Sequence, residues 1–227
     1  MQRLLQQLAT LQKAYFPATR PIQRTPGGMD IVLNGFPGTG KCTILEQLKA
    51  LLPADDTSPL LLHNHLLIDP AAALYPDRSE DHHMLRRRIR EVVFPCIRRL
   101  VEEGHIVLMT ACLAADDARD AAFFQEHLGL VRGTGVPLYW ITAYCEQTRL
   151  MQRVQSHGRV HSGKTKLTDP STLQKLVDTH RLIEPEESDV DSSTKLVVRS
   201  LDVNGEIDES VDRLMAIVGL PRRVSAG

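Results

Sequence analysis

Residues 29–52, MDIVLNGFPGTGKCTILEQLKALL, hold the feature that most restricts the fold. A short apolar run, Ile31 to Leu33, enters a glycine-rich loop with one lysine, and an amphipathic segment follows at once. Gly35, Gly40 and Lys41 satisfy GxxxxGK, and Gly38 adds an inner glycine. Glycines are needed because the backbone must curl until successive N–H groups point inward at phosphate oxygens. A lysine can then bridge the outer phosphates, and the start of the next helix adds its dipole. Gly35, Phe36, Pro37, Gly38, Thr39, Gly40, Lys41, Cys42 and Thr43 are therefore the candidate phosphate loop.

Further along, short apolar runs alternate with longer helical patterns. Candidate strands are Ile31 to Asn34, Leu60 to His63, Ile106 to Thr110, Leu138 to Thr142 and Lys195 to Leu201. An amphipathic segment separates each from the next. That alternation predicts an α/β fold, a parallel sheet with helices on both faces, whose ligands gather at the carboxyl ends of the strands.

A chain of 227 residues with 42% hydrophobic content suits one domain. We expect it over 30–220, with a tail over 221–227. The first 29 residues lack Asp and Glu, carry Arg3, Lys13, Arg20 and Arg24, and place Leu4, Leu8 and Leu11 on one helical face. This resembles a mitochondrial presequence but is poor in serine; the plainer reading is a helix and a Pro/Gly-rich tether in a cytoplasmic protein. A formal charge of -1 argues for a small-molecule partner rather than nucleic acid or membrane. A monomer or homodimer is expected. No apolar run approaches the ~20 residues that cross a bilayer. Cys42, Cys96, Cys112 and Cys145 lie far apart, without zinc-site spacing, and read as reduced, mostly buried thiols.

Cys42 stands where a Ser or Thr hydroxyl ordinarily meets Mg²⁺, a hard cation that prefers oxygen. Thr43 offers a hydroxyl one residue on, and Mg²⁺ held through waters and carboxylates remains compatible with the sequence. After the second strand, LLLHNHLLIDP presents His63, Asn64, His65 and Asp69. Asp69 is the carboxylate placed to accept a hydroxyl proton or orient a metal-bound water; the bland alternative is that Asp69 and Pro70 cap the next helix.

Residues 79–104 read as a helix with Leu85, Ile89, Val92, Cys96 and Leu100 inward and a kink at Pro95. Arg86 and Arg90 share one edge, suited to an anionic substrate or else to a solvated, ion-paired face. The third strand ends at Thr110 without the Asp that many ATPases carry there, and Asp116, Asp117 and Asp120 suit a helix N-terminus. Beyond the fourth strand Arg149, Arg153 and Arg159 precede SHGRVHSGKTK, which has the composition of a lid closing over phosphates.

The pieces GFPGTGKCT, YWITAYCEQTRLMQRV, DTHRLIEPEE and SLDVNGEIDESVDRLMAIV together resemble the P-loop small-molecule kinases. That group contains shikimate kinase, gluconate kinase, chloramphenicol phosphotransferase and the nucleoside monophosphate kinases, and LNGFPGTGK with NHLLIDP is similar to uncharacterised fungal-type P-loop proteins. The resemblance implies a five-stranded parallel sheet in order 2-3-1-4-5, ATP with Mg²⁺ on the loop, and a hydroxyl acceptor opposite. It also implies that Arg149 and Arg153 are lid arginines and Asp69 the acceptor-side carboxylate; His65, Arg86 and Arg90 are candidate acceptor contacts from the residues themselves. The expected activity is γ-phosphate transfer to a small-molecule hydroxyl. Cys42 and the absence of DxD after the second strand keep a non-catalytic nucleotide-binding regulator in view. A nucleotide hydrolase is the other alternative.

Overall fold

The computed structural model describes residues 27–52, 59–155 and 167–221. In chain order these form β1 (Met29–Asn34), α1 (Lys41–Leu51), β2 (Leu60–Leu62), α2 (His65–Leu74), α3 (Glu80–Glu102), β3 (Ile106–Ala111), α4 (Ala118–Val131) and β4 (Pro137–Tyr144). α5 (Gln147–Val154), α6 (Pro170–Thr179), a short 3-10 turn (Glu187–Asp189), β5 (Lys195–Asp202) and α7 (Ile207–Val218) follow. The strands form one sheet in the order β2-β3-β1-β4-β5, and every pairing is parallel, as expected.

Strand periodicity divides the core in two. Ile31 and Leu33 face α1 and α7, where they meet Ile44, Leu45, Leu48, Val211 and Leu214. Val32 points the other way, into a cluster with Phe94 and Ile97 of α3, Phe123 and Phe124 of α4, and Trp140. Ile44, Leu45 and Leu48 are fully buried, worth about 2 kcal/mol apiece, and they hold the start of α1 firmly against the end of β1.

The inward stripe of α3 differs from the expected one. Its buried residues are His82, Arg90, Phe94, Ile97 and Val101, while Val92 is 65% exposed and Cys96 is exposed. Arg90 tolerates burial because its Nη2 donates to Glu126 at 3.1 Å and its guanidinium lies 4.0 Å from the Phe123 ring centroid. α3 also runs on through Pro95, and α2 begins at His65 with Asn64 as its N-cap, so Asp69 and Pro70 lie inside that helix rather than capping it. The thiols are less buried than expected: Cys42, Cys112 and Cys145 are half-buried and Cys96 is exposed, and no disulfide joins any of the four.

Among the described residues, two ionisable side chains sit fully inside without hydrogen-bond partners. Asp30 on β1 is one, and burial pushes its carboxyl up to about 8. His127 on α4 is the other, stacked 4.9 Å from Phe123; burial first, then the nearby Arg90 charge, lowers it to about 3. The sheet edges are β2, three residues long, and β5. On β5 the Val198 N–H donates to the Glu187 carboxylate at 3.0 Å.

Candidate nucleotide and acceptor site

β1 delivers the chain into the glycine loop at the carboxyl edge of the sheet. Gly35 N donates to Ala111 O at 3.1 Å, anchoring the loop to the end of β3. Gly38 and Gly40 have φ of 95° and 80°, backbone that L side chains rarely adopt. A Cβ on Gly38 would lie 3.0 Å from Leu150 O, so the loop is pressed against α5. Phe36 joins Leu150, Val154 and Leu173 in a small satellite core on the same side.

Gly40 is the N-cap of α1, no side chain caps that helix, and its first turn holds no acidic residue. Its positive end is thereby left to an anion. Lys41 folds back over the loop: Nζ donates to Phe36 O at 2.9 Å, to Thr39 Oγ1 at 3.0 Å and to Gly35 O. Thr39 in turn donates to Phe36 O at 2.8 Å. The Cys42 thiol points along α1 and donates to Glu46 Oε1 at 3.2 Å, while Thr43 is exposed.

A second polar cluster lines the ends of β2 and β3. Asn64 N donates to Thr110 Oγ1 at 2.9 Å, joining the two strand ends. His65 Nδ1 lies 3.4 Å from Asp69 Oδ1, and the His63 and His65 rings are 6.2 Å apart. Asn34, the last residue of β1, accepts from Leu113 N at 2.8 Å and donates to Leu113 O and Ile183 O. Leu113 O accepts from Ile183 N at 2.9 Å, and Trp140 Nε1 donates to Ile183 O at 3.0 Å. The DTHRLIEP segment is thereby stitched antiparallel onto the chain leaving β3, directly behind the glycine loop.

That stitching brings in His180, which the pattern does not single out, beside acidic residues expected only as a helix start. His180 Nδ1 pairs with Asp116 Oδ2 at 2.8 Å. Asp117 caps α4, as expected of an acidic residue at a helix start. Asp120 Oδ2 accepts from Ala114 N at 2.8 Å, and burial raises its carboxyl above the usual range. Burial likewise raises the Cys112 thiol, opposed by the Lys41 charge and reinforced by Asp120. A polar residue closing a buried strand, as Asn34 does, is a signal that could have pointed to this junction.

Of the predicted arginines, Arg90 is committed to Glu126. Arg86 has a buried Nε without an acceptor. Arg153 donates to Val203 O at 3.0 Å and Gly205 O at 3.3 Å, and Arg149 donates to Asn204 O. Both therefore rest on the turn between β5 and α7, beside the loop. Arg159 and the whole SHGRVHSGKTK segment lie outside the described residues, as does most of the N-terminal segment discussed above. No described helix is long and apolar enough to cross a membrane.

Among the described residues no three His, Cys, Asp or Glu side chains converge on one point. Thr43 on α1 and Asp69 on α2 carry oxygen, and Cys42 carries sulfur. So sparse a set of donors would suit a Mg²⁺ ion carried mainly by phosphate oxygens and water.

No protein-family model matches the chain, and no curated protein matches it by sequence. Solved structures do match in three dimensions. A sugar kinase from Janibacter sp. superposes with a TM-score of 0.52 at 13% identity, covering 85% of this chain and 95% of that one. A tunicamycin resistance protein from Deinococcus radiodurans gives 0.52 at 14% identity, covering 86% and 98%. The α/β fold expected from the sequence, a five-stranded parallel sheet in the order 2-3-1-4-5 with helices, is the one these structures share. At such identities the likeness speaks for the fold alone.

Proposed function

We propose that the protein is an ATP-dependent phosphotransferase acting on a hydroxyl of a small molecule, within a domain spanning residues 30–220. The observation that carries this reading is the uncapped start of α1 behind left-handed Gly38 and Gly40, with Lys41 folded over the loop. Phosphoryl transfer asks a protein chiefly for positioning and charge neutralisation. Lys41 would exchange its carbonyl partners for the outer phosphates of ATP, and the N–H groups of Gly38 to Thr43 would line the inner ones.

Arg149 and Arg153 flank the same loop and would neutralise charge developing on the transferred group. His65 and Asp69 would orient the acceptor from the β2 side. Mg²⁺, with Thr43 and Asp69 as its nearest oxygen groups, would screen the phosphate charges. We read Cys42 as a replacement that leaves phosphate binding intact, because its thiol is turned to Glu46.

The test is calorimetric titration of ATP into the protein and into Lys41→Ala, followed by ADP release with a panel of hydroxylated metabolites. Binding lost in the variant and acceptor-dependent ADP release are expected; equal binding by both proteins would remove the loop from the reading. A nucleotide-binding regulator is the second reading. It is favoured by the sulfur at Cys42 and by Thr110, Ala111 and Cys112 closing β3 without a carboxylate. Tight ATP binding without ADP release across the panel would favour it.

A further inference from the structure

Two hollows on the sheet face away from α1 share Glu184 as a border. The larger, about 410 Å³, has an apolar wall of Ala121, Ala122, Phe124, Ile183 and Pro185. The other, about 380 Å³, is more polar: Thr142 and Tyr144 of β4 line it together with Arg199 and Ser200 of β5. Strand pairing sets its floor. Thr142 shares a face with Trp140, whose cluster lies on that side of the sheet, and its parallel partner on β5 is Ser200. Either volume falls within the roughly 300 to 1,000 Å³ of small-ligand sites.

Thr142 is 2% exposed and its hydroxyl has no hydrogen-bond partner, a costly state for a polar group shut away from water. Glu184 accepts from the Tyr144 phenol, and no cation among the described residues forms an ion pair with it. Arg199 is engaged elsewhere, since its guanidinium meets Glu187 at 2.9 Å. Asp189, the other carboxylate bordering the apolar hollow, accepts from the Glu186 N–H at 2.9 Å. The charge left open here is negative, and it stands between an apolar wall and an unpartnered hydroxyl.

We propose that these hollows form a second ligand site, apart from the glycine loop, and that it takes a small hydroxylated amine with an apolar chain. The ammonium group binds the Glu184 carboxylate, the hydroxyl completes Thr142, and the chain lies along Phe124, Ile183 and Pro185. A neutral alcohol would leave Glu184 without a counter-charge, and an anion would be repelled by it. Because α1 packs on the opposite face of the sheet, the site stands whether or not the loop holds ATP.

The experiment uses leucinol, which carries amine, hydroxyl and apolar chain, beside isoamylamine, which lacks the hydroxymethyl group, and isohexanol, which lacks the amine. Each is titrated by calorimetry into full-length protein, with and without a non-hydrolysable ATP analogue. Leucinol should bind saturably in both conditions, with isoamylamine roughly threefold or more weaker and isohexanol roughly tenfold or more weaker. Glu184 is exposed, so Glu184→Gln should fold as the parent does and weaken leucinol by roughly tenfold. Thr142→Val, nearly isosteric, should bring leucinol down to the level of isoamylamine and leave isoamylamine unchanged. The Thr142 methyl resonance of the parent should shift on adding leucinol.

No saturable leucinol binding, isohexanol binding as tightly as leucinol, or either variant folding and binding leucinol unchanged would each overturn the proposal. So would loss of leucinol binding at saturating analogue, which would place the amine at the glycine loop. Should Thr142→Val fail to fold, Glu184→Gln and the isohexanol comparison decide the outcome.

Discussion

Lys41 is held by its own loop in this structure, on carbonyls that a phosphate would displace. Removing the ammonium should lower ATP affinity by roughly tenfold to a hundredfold in a calorimetric titration, the range of one or two charge-assisted hydrogen bonds. Cys42→Ser should keep ATP affinity and Mg²⁺-dependent turnover at or above the parent level; complete loss would show that the thiol has a role of its own. Arg90→Ala tests a different claim. It strands Glu126 beside an aromatic cluster and should cost about 3 kcal/mol in urea unfolding while sparing ATP binding. The loop residues were legible because their spacing is set by phosphate geometry. Arg86 and Arg90 were not separable from sequence, since only the position of Glu126, thirty-six residues further on, decides which of them is occupied.

At the scale of elements, strand and helix order followed from apolar periodicity, and all five strands were anticipated within a few residues. The inward face of α3 was not. That helix has apolar residues on two adjoining faces, and the buried one includes His82 and Arg90, polar types that pattern reading assigns to water. Their partners, Tyr75 O and Glu126, lie on other elements and leave no mark on the local pattern. The junction of the glycine loop with α5 is equally non-local. Gly38→Ala should strain the loop and push Leu150 away, costing about 1 to 2 kcal/mol by thermal or chemical unfolding and weakening ATP at least tenfold. A variant with unchanged affinity would show that α5 need not sit where it does.

For the molecule as a whole, the two buried ionisable groups predict an unusual pH profile. Asp30 keeps its proton in the folded state up to about 8, whereas the unfolded chain releases it near the ordinary 3.8. Its contribution is therefore fully present below about 4 and is lost as pH rises to 8. His127 works in the other direction: it stays neutral when folded down to about 3 while the unfolded chain protonates near 6.5, so its contribution falls as pH drops below 6.5. Between about 4 and 6.5 the two slopes oppose each other, and above 6.5 only the Asp30 decline remains. Asp30→Asn should flatten the fall in unfolding free energy between pH 6.5 and 8, measured by urea titration. A parent-like slope in the variant would assign the decline elsewhere.

The Glu187 carboxylate on the Val198 N–H bears on how copies of this molecule meet. A sheet with exposed rims invites strand-to-strand addition and fibrous growth. Here one rim is only three residues long, and the other offers an amide already engaged by a side chain from the preceding turn. Self-association by extending the sheet is thus discouraged at both ends, and a homodimer would be built through helical surfaces. Glu187→Ala, by uncovering that amide, should make concentrated solutions less monodisperse in light scattering without altering the site at the opposite edge of the loop.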